Sequence, residues 1–202
     1  MVIPVLLSGI VVALAQQNYD DKFARNITFP LSAAAYADDP QRCVERVFPG
    51  GEMVKHITVN CGWWSKCSGF VANISSENAI ALSFRGTKGK LQLVDIFGKT
   101  LSTKRIRWSV NNQYLGQVGR YFHDAFHAIW KEGMEKHVQE LLQNCPKCKI
   151  WVTGHSLGGS MASIAASYLA WSGLANDHEI RLVTFGQPKT GDTNFGSTLT
   201  DK

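Results

Sequence analysis

Three observations predict an α/β fold with a mainly parallel sheet for this chain of 202 residues. Short β-rich runs alternate with segments whose apolar residues recur at helical spacing, the pattern of strands joined by crossover helices. One run, Lys149 to Thr153, leads straight into Gly154-His155-Ser156-Leu157-Gly158 and then into a helix rich in small residues. The length suits a single domain, and a hydrophobic content of 45% is enough for it to bury a substantial core.

Residues 1–15 (M-V-I-P-V-L-L-S-G-I-V-V-A-L-A) carry no charge and end in small residues. That pattern predicts a secretory signal peptide, although the usual basic start is absent. A buried strand or an anchor is the other reading, but the run is too short to span a bilayer, which needs about 20 apolar residues. Residues 16–67 form a cysteine-containing region in which Pro30 to Asp39 reads as a short helix ending before Pro40. Loops are expected from there through Trp63-Trp64. Ser68 to Ile74 and Ala79 to Arg85, with a turn at Ser75 to Asn78, read as a strand hairpin. Gly116 to Asn144 reads as one long helix on the spacing of Phe122, Phe126, Ile129, Val138 and Leu141, with a kink at Gly133. Ile150 to Thr153 is a strand, and the helix after Ser156 carries Met161, Ile164, Ala165, Tyr168 and Leu169 on one face. Arg181 to Phe185 is the next strand, bounded by Gly186 and Pro188.

The five cysteines, Cys43, Cys61, Cys67, Cys145 and Cys148, suit an oxidising compartment. Cys145 and Cys148 lack a second pair at zinc-site spacing, so a local disulfide is expected there rather than a metal. One thiol among Cys43, Cys61 and Cys67 is left free or pairs beyond residue 202. Sequons at Asn26 and Asn73 are candidate glycosylation sites that fit secretion. The formal charge of +5 resides entirely between Lys88 and Leu115, where six cations face Asp95 alone. No nucleic-acid motif accompanies it, so that function class is set aside. A basic loop meeting anionic lipid and an ordinary solvated loop both remain open.

The segment Val152-Thr153-Gly154-His155-Ser156-Leu157-Gly158-Gly159 has the form of a nucleophile elbow, a strand-to-helix turn that thrusts a serine outward. Such a turn is too tight for side chains two positions either side of the serine, and Gly154 and Gly158 relieve it. A phosphate-binding turn is the competing reading. The chain lacks both the lysine of a P-loop and the glycine spacing of a dinucleotide site. Acyl transfer by a serine needs a base and oxyanion donors. The backbone N–H of Leu157 is one donor, and the loop Phe84-Arg85-Gly86-Thr87 is placed to supply another.

These motifs, F-R-G-T, then V-T-G-H-S-L-G-G, then Thr184 to Asp192 (T-F-G-Q-P-K-T-G-D), resemble the class 3, fungal-type lipase family over roughly Ser68 to Lys202. The resemblance implies an α/β-hydrolase fold, with residues 68–202 a partial domain lacking its C-terminal part. It implies Ser156 as catalytic nucleophile and Thr87 and Leu157 as the oxyanion hole, with no metal or organic cofactor. The substrate implied is a lipid ester, met at a lipid–water interface under a lid spanning residues 88–115. Leu91, Val94, Ile96, Phe97, Ile106 and Trp108 would then face lipid. An Asp95–Arg85 pair, either beneath the oxyanion loop as the family would have it or on the surface where it contributes little, is a further expectation.

The chain departs from the family in reading G-Q-V-G-R-Y-F at Gly116 to Phe122, and nothing after Asp192 maps onto the triad aspartate or histidine. Asp192 belongs to the G-D motif, His178 falls at the opposite sheet edge, and His155 reads as structural. His123 and His127 are expected to be packing or hydrated residues, though their helix starts near the active-site edge. Weak or absent turnover is therefore expected of a secreted lipase-like chain, with a non-catalytic lipid-binding protein as the alternative.

Overall fold

A computed structural model describes residues 19–62, 65–87, 104–175 and 179–200. The signal-peptide expectation, Trp63-Trp64, His178, Asp95 and most of the expected lid lie outside these residues. The chain forms a three-layer α/β/α sandwich around a five-stranded sheet. Its strands are β1 (Glu52–Gly62), β2 (Ser65–Ile74), β3 (Ala79–Phe84), β6 (Lys149–His155) and β7 (Ile180–Phe185), in that spatial order. The β1–β2–β3 meander is antiparallel, and β3, β6 and β7 are parallel, so the parallel character lies at the centre and on the β7 side.

All six residues of β3 are buried, as expected of a strand covered on both faces. Their alternation divides the core. Ile80, Leu82 and Phe84 join one apolar cluster with Val71, Ile150 and Val152, and Ala79 and Ala81 join the other with Phe70, Ile74 and Trp151. Two N-terminal helices cover the second face. The first, α1, runs through Asp21–Phe23, the π-helical turn Ala24–Thr28 and Phe29–Ala34; the second, α2, is Pro40–Val47. Phe23 and Phe48 pack against Trp151 with ring centroids 5.5 and 6.0 Å away. The expected single helix at Pro30–Asp39 is thus the end of a longer one that starts near Asp21, and the chain re-enters helix at Pro40, where proline suits the first turn.

The expected loops before Ser68 are instead β1 and the start of β2. A bulge between Met53 and Lys55 shifts the strand's phase. Met53 therefore packs on the α1/α2 side while Ile57 and Val59 face the opposite cluster, which breaks the alternation a strand would show in sequence. A Cys61–Cys67 disulfide staples β1 to β2, Cys145 joins Cys148 ahead of β6, and Cys43 is the free thiol among the described residues.

The other face carries α3 (Arg120–Ile129), a π-helical turn at Trp130–Met134, α4 (Glu135–Asn144), α5 (Leu157–Ser172) and α6 (Thr193–Thr200). The helix expected from Gly116 begins at Arg120. Residues 116–119 belong to β5 (Gln113–Gly119), which pairs with β4 (Arg105–Val110) in a two-stranded hairpin. The kink expected at Gly133 is present, with φ 121° there.

Trp108 does not stand at a surface. It is 2% exposed, donates from Nε1 to Ser167 Oγ at 2.9 Å, and packs on Phe126. Its place in β4 points it inward, onto α3 and α5, so the expectation that it faces lipid is corrected; Ile106 is half-buried. Trp108→Ala should therefore destabilise the fold by about 3–5 kcal/mol. Equilibrium denaturation checks this, and a loss under 1 kcal/mol would remove Trp108 from the core.

Candidate active site

The buried strand β6 ends at His155, and the chain turns through Ser156 into α5. Ser156 sits at φ 57°, ψ −124°, a region that disfavours residues with a side chain and holds about 1–3 kcal/mol of strain. Neighbouring backbone holds it there. Ser156 N–H donates to Phe185 O at 2.8 Å, and Gly159 N–H donates to Ser156 O at 3.0 Å. The strain follows from how closely strand and helix cross. A Cβ on Gly154 would overlap the carbonyl of Gly158, and one on Gly158 would overlap the carbonyl of Phe84 at the end of β3.

The Phe84-Arg85-Gly86-Thr87 loop closes over this turn. A Cβ on Gly86 would lie 3.1 Å from Ser156 Cβ and would overlap the Tyr36 hydroxyl. Arg85 N–H continues the sheet by donating to Ser68 O at 2.9 Å, and Arg85 Nη2 donates to Lys66 O at 2.8 Å. Thr87 follows Gly86 at the same edge and is half-buried. Leu157 opens α5, where the first amides of a helix have no partner within it and are directed outward.

Tyr36, which follows α1, is a site residue that sequence reasoning missed. Its hydroxyl accepts from Gly86 N–H at 3.1 Å and lies 2.8 Å from His155 Nδ1. Which of the phenol and the imidazole donates in this contact depends on the tautomer of His155. Burial raises the Tyr36 pKa, against the hydrogen bond from Gly86, so the phenol stays protonated at neutral pH. His155 is thereby committed to holding the elbow against the Gly86 loop. No motif in the sequence marked Tyr36, because its partners are 50 and 119 residues away.

The segment after β7 is stitched to α5 on the opposite side. Ser163 Oγ donates to Gln187 Oε1 at 2.9 Å, Gln187 Nε2 to Thr190 Oγ1 at 2.7 Å, and Thr190 Oγ1 to Ser160 Oγ at 2.9 Å. Asp192 accepts from the amides of Phe195 (2.9 Å) and Gln117 (3.1 Å), capping α6 and pinning β5. Burial would raise its pKa, but the amides of Phe195 and Gln117 and the charge of Arg105 together outweigh that and hold the carboxyl below its usual value. Its role is structural, in keeping with its place in the G-D motif.

Among the described residues, the hydroxyl of Ser156 has no side-chain partner. His123 and His127 pack with Trp108 beside Tyr168, around a cavity of about 340 Å³. Tyr168 is 12 residues along α5 from Ser156, about 18 Å at the helical rise. Both histidines pack as the sequence reading expects, and neither is hydrogen-bonded to Ser156 among the described residues. Burial lowers the His127 pKa to about 4, aided by the charges of His123 and Lys131 and opposed by Asp124. His56 lies 2.9 Å from Ser68 Oγ and His137 contacts Glu140. No group of three or more potential metal ligands occurs among the described residues.

A serine in a strained turn between a central parallel strand and a helix, with a loop from the preceding parallel strand against its Cβ, defines an α/β-hydrolase scaffold. The family model "Lipase (class 3)" matches residues 81–202, and the chain belongs to that family. It is 31% identical over 183 residues to Lipase ZK262.3 of Caenorhabditis elegans, covering 88% of this chain and 49% of that one. It is 35% identical over 163 residues to secreted mono- and diacylglycerol lipase 1 of Fusarium solani, covering 71% and 46%. The chain thus spans about half the length of these relatives. Among solved structures, the lipase of Rhizopus microsporus var. chinensis superposes with a TM-score of 0.70 at 23% identity, covering 86% of this chain and 60% of that one. Lipase II of Rhizopus niveus gives a TM-score of 0.70 at 23% identity, covering 86% and 65%. These structural likenesses show the α/β-hydrolase fold.

Gly158→Ala should destabilise the fold by about 3 kcal/mol or more, because the obstructing atoms are backbone and cannot swing aside. Urea unfolding tests this, and a near-neutral change would refute the close crossing. His127 is neutral in the folded chain at pH values where an unfolded histidine, of pKa near 6.5, takes up a proton. Its contribution to stability is complete above about pH 6.5 and is lost as the pH falls towards 4. His127→Leu should flatten the stability profile in that window, which denaturation at stepped pH would reveal.

Proposed function

We propose that Ser156 is the nucleophile of a lipid-ester hydrolase of this family, with the amides of Leu157 and Thr87 receiving the oxyanion. The observation that carries this reading is the positive φ of Ser156, held at the mouth of α5 with the Gly86 loop against its Cβ. Strain of this kind clusters at functional sites. A hydroxyl in such a turn lies next to the first amides of the following helix, which supports the reading. Attack on an ester carbonyl forms the Oγ–acyl bond as the alcohol leaves, and water then releases the acid. Binding of substrate at a lipid–water interface, through the 88–115 segment, belongs to the same proposal. An acylglycerol ester is the substrate class, in line with the name of the Fusarium relative.

Secretion is part of this proposal. It is supported by the relative named as secreted, the two disulfides and the apolar first fifteen residues. No described helix is long and apolar enough to cross a membrane. Of the two candidate glycosylation sites, Asn26 is exposed on α1 and stays a proposed acceptor. Asn73 is half-buried within β2, between Glu52 of β1 and Ile80 of β3, where a glycan has little room.

None of the described histidines is hydrogen-bonded to the Ser156 hydroxyl, and losing a triad base typically slows turnover by about 10⁴- to 10⁶-fold. That favours a second reading, in which the chain binds lipid without catalysis. A fluorophosphonate probe separates the two. Labelling of the folded chain that disappears in Ser156→Ala is expected, at a rate well below that of a serine hydrolase whose nucleophile is hydrogen-bonded to a histidine. A folded chain that stays unlabelled over many hours while adsorbing to lipid would establish the non-catalytic reading.

A further inference from the structure

The β4–β5 hairpin has an outer face that the elbow chemistry does not use. From Lys104 to Arg120 the chain contains four cations and no acidic residue. Lys104, Arg105, Arg107 and Arg120 are all exposed, and none forms an ion pair among the described residues. Three observations gather them onto one face. Arg105 and Arg107 are two apart on β4, so they project from the same side. Arg120 N–H donates to Lys104 O at 3.0 Å, which joins the two ends of the hairpin. The Arg107 guanidinium lies 4.6 Å above the ring of Tyr114 on β5 and donates from Nε to Ser109 Oγ at 3.1 Å. The Asp192 carboxylate, which feels the charge of Arg105, is half-buried and accepts from the amides of Phe195 and Gln117.

The hairpin is also oriented. At its turn, Asn111 Nδ2 donates to the carbonyls of Trp171 and Ser172 at the end of α5. At its open end, Gly119 N–H donates to Thr190 O at 2.9 Å, and Thr190 contacts Ser160 in the first turn of α5. The hairpin therefore runs alongside α5, with Lys104, Arg105 and Arg120 clustered at the Ser156 end. Trp108, Val110, Leu115 and Val118 anchor its inner face in the core, so the charged face is fixed rather than floppy.

We propose that this face docks the protein on a lipid surface bearing anionic headgroups, and so brings the Ser156 edge to the membrane. The orientation towards substrate rests on the hydrolase reading above; the docking itself does not. Charge complementarity supports the choice of partner, since each lysine or arginine near an anionic leaflet strengthens adsorption about fivefold. Tyr114, 42% exposed amid the cations, suits the headgroup region, where an aromatic body and a polar tip are both accommodated.

The test is sedimentation of the full chain with phosphatidylcholine vesicles, with and without about 30 mol% phosphatidylserine. Strong binding to the anionic vesicles alone is expected, collapsing at about 0.5 M salt. The triple variant Lys104→Gln, Arg107→Gln, Arg120→Gln should lose about 100-fold in anionic-vesicle partitioning while keeping its far-UV circular dichroism and its probe labelling. A matched triple, Arg42→Gln, Arg46→Gln, Lys136→Gln, removes the same net charge elsewhere and should lose little. Equal binding to neutral vesicles, or equal losses in the two triples, would overturn the docking face. Failure of Ser156 labelling alongside intact, charge-dependent vesicle binding would sink the hydrolase reading and support docking on its own.

Discussion

At the elbow two pieces of backbone, the end of β6 and the first turn of α5, cross too closely for a side chain to fit between them. Gly154 and Gly158 leave no room for side chains, and Gly158 presses on the carbonyl that ends β3. Three chain segments therefore meet within van der Waals contact around one serine. Because the contacts are backbone to backbone, they cannot relax by rotamer change, and the strain at Ser156 is distributed into the sheet. The cost of about 1–3 kcal/mol is sustained by strands buried on both faces, whose apolar burial far exceeds it.

That constraint organises the neighbouring polar groups. A loop forced against Ser156 must satisfy the amide of Gly86, and the Tyr36 hydroxyl does so from the other side of the sheet. The same hydroxyl fixes the imidazole of His155, so the N-terminal helices, β3 and β6 converge on one phenol. On the far side, Ser163, Gln187, Thr190 and Ser160 form a chain of hydrogen bonds that holds the post-β7 segment to α5. The motif residues are thus divided between presenting one hydroxyl and keeping the backbone around it rigid.

The hairpin illustrates how one segment serves two environments. Alternation along β4 sends Trp108 and Val110 into the core and Arg105, Arg107 and Ser109 to solvent. The tryptophan is a fastener for the hairpin against α3 and α5, and the arginines form its outward surface. Charge in the 88–115 region read from sequence alone could not be divided this way, since a loop and an amphipathic strand have the same composition.

The sequence by itself determined the α/β class, the position of the elbow, the two glycines it requires and the family, because each depends on residues close together along the chain. It also located the kink at Gly133 and the Cys145–Cys148 link, both local matters. It did not reveal β1, whose bulge breaks the alternation, or the strand at Gly116–Gly119, whose glycines and valine resemble the approach to a helix. Only the tertiary structure decided which cysteine stays free, that Trp108 points inward, that His123 and His127 pack against it, and that Tyr36 hydrogen-bonds the Gly86 loop. Apart from the free cysteine, which follows from a Cys61–Cys67 link six residues apart, these are settled by which distant segments pack together. Pairing between segments 50 to 120 residues apart is fixed by the packing of the whole core and leaves no periodic trace in the chain.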